Sequence, residues 1–169
     1  PYELIGSRSF FDRREVKDVM AFLRLLVEPD DDLALSRIAN VPPRGLSAHT
    51  IEKCRTAAAL AGHSLWQELQ AARGAGRLTA AAGTGIGLLE GIITLRHGAA
   101  QAGAAETLRT LLDRAGYRRH LEKEYEEDLA EAEMRWQCVE EVANALAHYE
   151  KTHGGSRDDE RFARLVRGF

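Results

Sequence analysis

In the stretch REVKDVMAFLRLLV, residues 14 to 27, apolar side chains recur at Val16, Val19, Met20, Leu23 and Leu26, with Val27 beside them. Spacings of three and four residues put them on one wide stripe, so the stretch is expected to form an amphipathic helix. Pro29 cannot continue the ladder, and the aspartates after it are suited to cap a second helix, LALSRIANV. Ser47 is the expected N-cap of AHTIEKCRTAAALAG. Ser64 and Gln67 fit a capping box before LWQELQAA. Gly74 and Gly76 interrupt, and the Ala/Gly-rich stretch from Ala80 to Gly87 has no readable period before LLEGIITLRHGA resumes one. ETLRTLLDRAG ends on Gly116, a good residue for a left-handed helix end. The longest predicted helix runs from Leu129 to Tyr149. Met134, Val139, Val142, Leu146 and Tyr149 are assigned to its apolar face, and Gly154 and Gly155 to its stop. Only YELI, near the N-terminus, reads as a strand, and it is too short to make a sheet alone. No repeat is visible. The predicted class is all-α, with at most a short N-terminal strand.

Composition narrows the functions open to such a fold. The 169 residues suffice for one domain with a real core. A hydrophobic fraction of 44% and a charged fraction of 29% are the balance of a globular chain. The formal charge of −3 argues against a whole-domain electrostatic grip on nucleic acid, so any DNA contact must be local. No run of about 18 apolar residues exists to span a membrane. The N-terminus is acidic and aromatic where a secretory signal would be basic and then apolar. Cys54 and Cys138 lie far apart on predicted helices, as reduced, buried thiols of a cytoplasmic protein would. The chain opens at Pro1 without a Met, as an excised fragment or a processed chain would.

Candidate enzymatic chemistry is sparse. GTGIG, residues 83 to 87, lacks the Lys-Ser/Thr of a P-loop and follows no strand, so it is read as a loop or a close helix approach. The six histidines show no H-x-x-x-H pair and no neighbouring Cys pair, so no metal site is expected. His120 precedes the acidic run EKEYEEDLAEAE, which reads as a solvated helix face. No G-x-S-x-G elbow accompanies the Ser, His and Asp present. Trp66 and Trp136 occupy apolar helical positions and read as core or interface anchors. No catalytic residue is assigned.

One segment stands apart: NVPPRGLSAHTIEKC, residues 40 to 54. A helix, a Pro/Gly elbow and a second helix expose several unpaired backbone amides on one small surface. These amides and the positive end of the second helix favour a phosphate oxygen. Arg44 would add a charge-assisted bond, and Ser47 or Thr50 a neutral one. The alternative is that Pro42, Pro43 and Gly45 only turn a corner while Arg44 is solvated.

The opening PYELIGSRSFFDRREVKDVMAFLRLLVEPDDDLALSRIANVPPRGLSAHTIEK resembles the superfamily 1 DNA helicases of the UvrD/PcrA/Rep family. Their pattern there is P-Y-x-(I/V)-x-G-G-x-x-F-F-x-R-x-E-(I/V)-K-D, A-(Y/F)-L-R, N-P-D-D-D and (T/V)-P-x-R-x-I-G-x-x-T. Nearly all of it is matched, without a gap, over roughly the first fifty residues. LLDRAGYRRHLEKEY and EAEMRWQCVEEVANALAHYE resemble later family segments more loosely, and residues 74 to 103 are placed by position alone. The resemblance implies that residues 1–169 are the family's 2B subdomain, a helical insertion in the second RecA-like motor domain with helix-hairpin-helix-like elements. It implies a parent that is an ATP-dependent 3′→5′ DNA helicase of DNA repair or replication, using ATP and Mg2+. No cofactor is expected in this chain, because neither G-x-G-K-T nor an acidic D-E-x-x box is present.

The family's 2B subdomain touches duplex DNA through its P-x-R-G-I-G hairpin, which maps onto Arg44, Gly45, Leu46, Ser47 and Thr50 as DNA-binding residues. Gly85, Ile86 and Gly87 are weaker candidates for a second duplex-contacting hairpin. Ser47 stands in place of the family's second glycine, and Pro43 where many members carry Lys. Gly6-Ser7 departs from the earlier G-G. The block FFDRREVKD is expected to be structural, with Phe10 and Phe11 packing and Arg13, Arg14, Glu15 and Asp18 forming ion pairs. Two other functions compete. The chain would be a protein–protein module that docks repair or replication factors on the acidic Tyr117 to Glu133 region, or part of a helicase–nuclease of the AddA/RecB kind.

Overall fold

The computed structural model describes residues 8–153 and 159–169. These residues form α1 (Arg8–Asp12), α2 (Arg14–Val27), α3 (Asp32–Ile38), α4 (Ala48–Ala61), α5 (Leu65–Gly74) and α6 (Ala80–Ile93). They continue through α7 (Arg96–Ala102), α8 (Ala104–Ala115), α9 (Tyr117–Glu124), α10 (Leu129–His153) and α11 (Asp159–Gly168). No strand occurs among the described residues, so the expected all-α class is the observed one. YELI, Gly6-Ser7, Gly154 and Gly155 lie outside the described residues.

Local signals set most boundaries. The Asp31 carboxylate accepts from the Leu33 and Ala34 amides and starts α3. Ser64 and Gln67 form the complete capping box of α5. Gly116 ends α8 at φ 68°, in the left-handed region. A side-chain N-cap stabilises its helix by about 1 kcal/mol.

Helix α2 is the centre of the fold, packed by α3, α8, α10 and α11. Its burial exceeds the predicted stripe: Ala21, Phe22 and Leu25 are buried as well, whereas Met20 is only partly so. Burying a side chain such as Phe22 stabilises the fold by about 1.5–3 kcal/mol. Two carboxylates enter the core on this helix because each finds a partner. Asp18 accepts from the Tyr117 hydroxyl at 2.8 Å and pairs with Arg37 Nε at 2.7 Å. Glu15 pairs with Arg135 at 2.9 Å. Burial pushes the Asp18 carboxyl above its ordinary value, against the opposing Tyr117 hydrogen bond and Arg37 charge. The expected ion pairs of FFDRREVKD are thus present at Arg14, Glu15 and Asp18, with Arg14 on Glu124, while Arg13 makes a hydrogen bond to Cys138 Sγ at 3.2 Å. Phe10 is in the core, and Phe11 packs edge-on against it at the surface.

On α10, Val139, Val142 and Leu146 are buried as expected, but Met134 is not; it is 48% exposed. Five residues separate it from Val139, about 140° around a helix, so it falls off the stripe. Arg135, four residues before Val139, takes that place and reaches Glu15. Cys54 and Cys138 are free and buried, and burial raises both thiol pKa values. Trp66 is core, while Trp136 is half-buried with the Arg118 guanidinium 5.4 Å above its ring.

The segment with no readable period, Ala80 to Gly87, is the first half of α6, capped by the Thr79 hydroxyl on the Ala82 amide. Gly85, Ile86 and Gly87 therefore form no second hairpin. Small residues hid the helical period, because a face of Ala and Gly packs by closeness and not by bulk.

Candidate nucleic-acid interface

The elbow between α3 and α4 is held from inside. Asn40 Oδ1 accepts from the Arg44 amide at 2.6 Å and the Leu46 amide at 3.2 Å. The Val41–Pro42 peptide is cis. Leu46 is fully buried and pins the far arm of the turn into the core.

Arg44 does not extend to solvent. It is 8% exposed, and its Nη1 donates to the Ile38 carbonyl at 2.8 Å and the Val41 carbonyl at 2.9 Å. Its guanidinium carbon lies 5.8 Å from the centre of the Phe22 ring. Burial lowers its pKa to about 10. The expectation of an outward, phosphate-facing Arg44 thus meets a guanidinium turned onto the last carbonyl of α3, Ile38, and the Val41 carbonyl of the turn. The Ile38 carbonyl closes α3 and also accepts from the Val41 amide at 3.1 Å, and a cation at a helix C-terminus is favoured.

The outward side is carried by other groups. Pro43, Gly45, Ser47, Ala48 and His49 are exposed. Ser47 Oγ caps α4 by accepting from the Thr50 amide at 3.1 Å, and it lies 2.9 Å from the Thr50 hydroxyl. The two hydroxyls are thus already engaged with the helix start, and Ser47 in place of glycine acts as the N-cap. The amides of Ala48 and His49 precede the first intrahelical bond and remain available.

The two sequence segments singled out for DNA contact meet in space, although not as two hairpins. The first turns of α6 pack on the elbow so closely that a Cβ on Gly45 would sit 2.9 Å from Ala81 Cβ. A Cβ on Gly85 would fall far inside 3.0 Å of the Arg44 carbonyl oxygen and 2.9 Å from Arg44 Cβ. Gly45 also has φ 76°, which an L side chain rarely adopts. Ile86 is fully buried, and Gly87 faces the Arg73 guanidinium.

Beside the elbow, a cleft of about 400 Å3 is lined by His49, Thr50, Lys53, Glu68, Arg77 and Thr79, among others. Sequence reasoning missed His49 and Lys53, which lie four apart on α4, and the elbow-tying Asn40. The signal for Asn40 was its place just ahead of Val-Pro-Pro, since Asn side chains bond nearby backbone at helix ends and turns. Glu68 is buried and accepts from Arg77 at 2.8 Å, with His63 Nε2 at 3.0 Å. The Arg77 hydrogen bond holds the Glu68 carboxyl below its ordinary value. A lowered folded-state pKa adds stability above the unfolded carboxylate range, and that stability is lost as pH falls through the lowered value. Glu68→Gln is therefore expected to reduce stability near neutral pH and to flatten its decline below about pH 5, as read by urea midpoints across an acid series.

Four carboxylates of the acidic segment from Tyr117 to Glu133 are paired within the chain. Arg118 pairs with Glu122 and Glu133, each at 3.2 Å, Arg135 with Glu131 at 2.7 Å, and Arg14 with Glu124. His120 Nε2 lies 3.4 Å from Glu124 without hydrogen-bond geometry, and burial lowers the imidazole pKa. Among the described residues no cluster of His, Cys, Asp and Glu has the arrangement of a metal site. No helix among them is long and apolar enough to cross a membrane.

Residues 1–72 match the family described as the UvrD-like helicase C-terminal domain. That match, and the relatives named next, identify the chain as a UvrD/PcrA-type superfamily 1 helicase segment. It is 33% identical, over 150 residues, to the ATP-dependent DNA helicase PcrA of Bacillus subtilis (strain 168), an alignment that covers 89% of this chain and 20% of that protein. It is 29% identical over 151 residues to the ATP-dependent DNA helicase PcrA of Staphylococcus aureus, again over 89% of this chain and 20% of the relative. The chain spans about a fifth of the length of the curated relatives it matches.

Proposed function

We propose that residues 1–169 are the 2B subdomain of an ATP-dependent 3′→5′ DNA helicase, and that the α3–α4 elbow is its contact with duplex DNA. The carrying observation is the elbow's division of labour. Its cation and its large apolar side chain turn inward, and the uncommitted amides at the start of α4 are left on the exposed side. Backbone amides at a helix N-terminus suit a phosphate oxygen and carry no information about base identity. That is the requirement on a surface that must hold any duplex. In the parent, ATP and Mg2+ belong to the motor domains, and this subdomain swings as a rigid body between DNA and the motor's own surface. Such a switch works only through contacts that differ between the two orientations.

Fluorescence anisotropy of the chain with a labelled blunt duplex and a matched single strand, at two salt concentrations, tests the reading. Tighter, salt-sensitive binding to the duplex is expected, and equal binding to both at low salt would sink it. His49→Glu sharpens the test. A carboxylate in the first turn of a helix is favourable to folding, yet here it stands where a phosphate would dock. The melting temperature is expected to hold or rise while duplex affinity falls about tenfold or more, or about 1.4 kcal/mol.

A further inference from the structure

We infer that Arg44 is a positioning residue of the duplex-binding elbow and not a phosphate ligand: it governs affinity by holding the turn's shape, without lending its charge to DNA. The inference rests on the proposed duplex contact and specifies how that contact is built. Three observations carry it. Arg44 Nη1 is committed to two carbonyls, Ile38 and Val41, which close α3 and open the turn. The Arg44 amide and the Leu46 amide share one acceptor, Asn40 Oδ1, so side chain and backbone of the same residue tie the elbow at both ends. The guanidinium is boxed in by the Phe22 ring on α2, and Phe22 is in turn packed edge-on by Tyr117 of α9 at 6.1 Å.

Reaching a phosphate would break two charge-assisted hydrogen bonds, to the Ile38 and Val41 carbonyls. It would also vacate the space over Phe22. Nη2 is buried and has no protein acceptor, so the site leaves both of its N–H donors unpaired to keep this group in place. The carbonyl of Arg44 faces the backbone of α6 at Gly85, so any movement of Arg44 is felt at the seam between elbow and α6. The outward chemistry is then made by amides that Arg44 aims and never accompanies.

The test separates position from charge. Arg44→Met removes the cation, and Asn40→Ala removes no charge at all but cuts the same turn loose. Both are expected to weaken binding of a labelled duplex about tenfold or more. Both should keep the wild-type slope of log affinity against log salt, because no phosphate partner has been removed. Arg44→Lys, which can still donate to the Ile38 and Val41 carbonyls, is expected to recover part of the affinity. A slope for Arg44→Met shallower by about 0.9, with Asn40→Ala unchanged in affinity, would overturn the inference and return Arg44 to the phosphate.

Hydrogen exchange in the free chain gives a second reading that needs no DNA. The Leu46 amide should exchange at least tenfold faster in Arg44→Met while amides in α8 and α10 keep their protection. Unchanged protection at Leu46 would also overturn the inference. Loss of duplex binding by the wild-type chain, with Leu46 deprotected in Arg44→Met, would remove the DNA contact and leave Arg44 as the post of the turn.

Discussion

Gly85→Ala is expected to destabilise the chain by about 3 kcal/mol, more than a one-carbon change in a helix has any intrinsic reason to do. Alanine is the better helix former, by about 0.8–1 kcal/mol. The tertiary contact reverses that sign. At Gly85 a methyl group would run into the Arg44 carbonyl oxygen, which is backbone and cannot swing aside as a long side chain would. Either α6 lifts off the elbow or the elbow gives, and the second outcome displaces the amides proposed to meet DNA. Gly91, on the same helix with nothing within 4 Å of its would-be Cβ, is the internal control. Gly91→Ala should be neutral or stabilising by up to about 1 kcal/mol. Urea denaturation of the two variants, with duplex anisotropy on the folded fraction, reads both effects. A Gly85→Ala variant as stable as Gly91→Ala would mean that α6 does not sit on the elbow.

Arg135→Met should cost about 3–5 kcal/mol, because it strands a carboxylate. Glu15 is 2% exposed, and its cation is Arg135 of α10. The same guanidinium pairs with Glu131 and lies 4.5 Å from the centre of the Tyr125 ring, so it ties α2, α10 and the turn before α10 together. Removing both charges is a different matter. The desolvation of two ions is costly, and an apolar pair of similar volume recovers it. The double variant Glu15→Met with Arg135→Met is therefore expected to regain most of the loss. A double-mutant cycle from chemical denaturation gives the coupling directly. Additive losses in the double variant would show that the pair is not the source of the penalty.

The helices with bulky side chains were legible because Leu, Ile, Val and Phe at three- and four-residue spacing mark a buried stripe. The caps at Asp31, Ser47 and Ser64 were legible because a short polar side chain before such a stripe has one obvious use. The first half of α6 was not legible, since Ala and Gly carry no period, and Met134 was misplaced by counting a residue too far from Val139. The elbow was readable as an elbow, from its prolines and glycine and from the family pattern in residues 40 to 50.

The amino-acid sequence by itself thus determined the helical class, most helix starts and the place of the turn, all of which depend on residues close along the chain. The tertiary structure alone decided which way Arg44 points. An arginine beside a glycine in a turn reads as solvated, since burying a guanidinium is costly in general. Here the Ile38 and Val41 carbonyls, the Phe22 ring from α2 and the close backbone of α6 offset that cost. α2 and α6 are distant from the elbow in the chain and adjacent only once the core has formed. The same holds for Glu15 and Asp18, whose partners Arg135 and Tyr117 lie more than ninety residues away. Local pattern sets what each segment can become, and long-range packing sets which polar groups can afford to leave water.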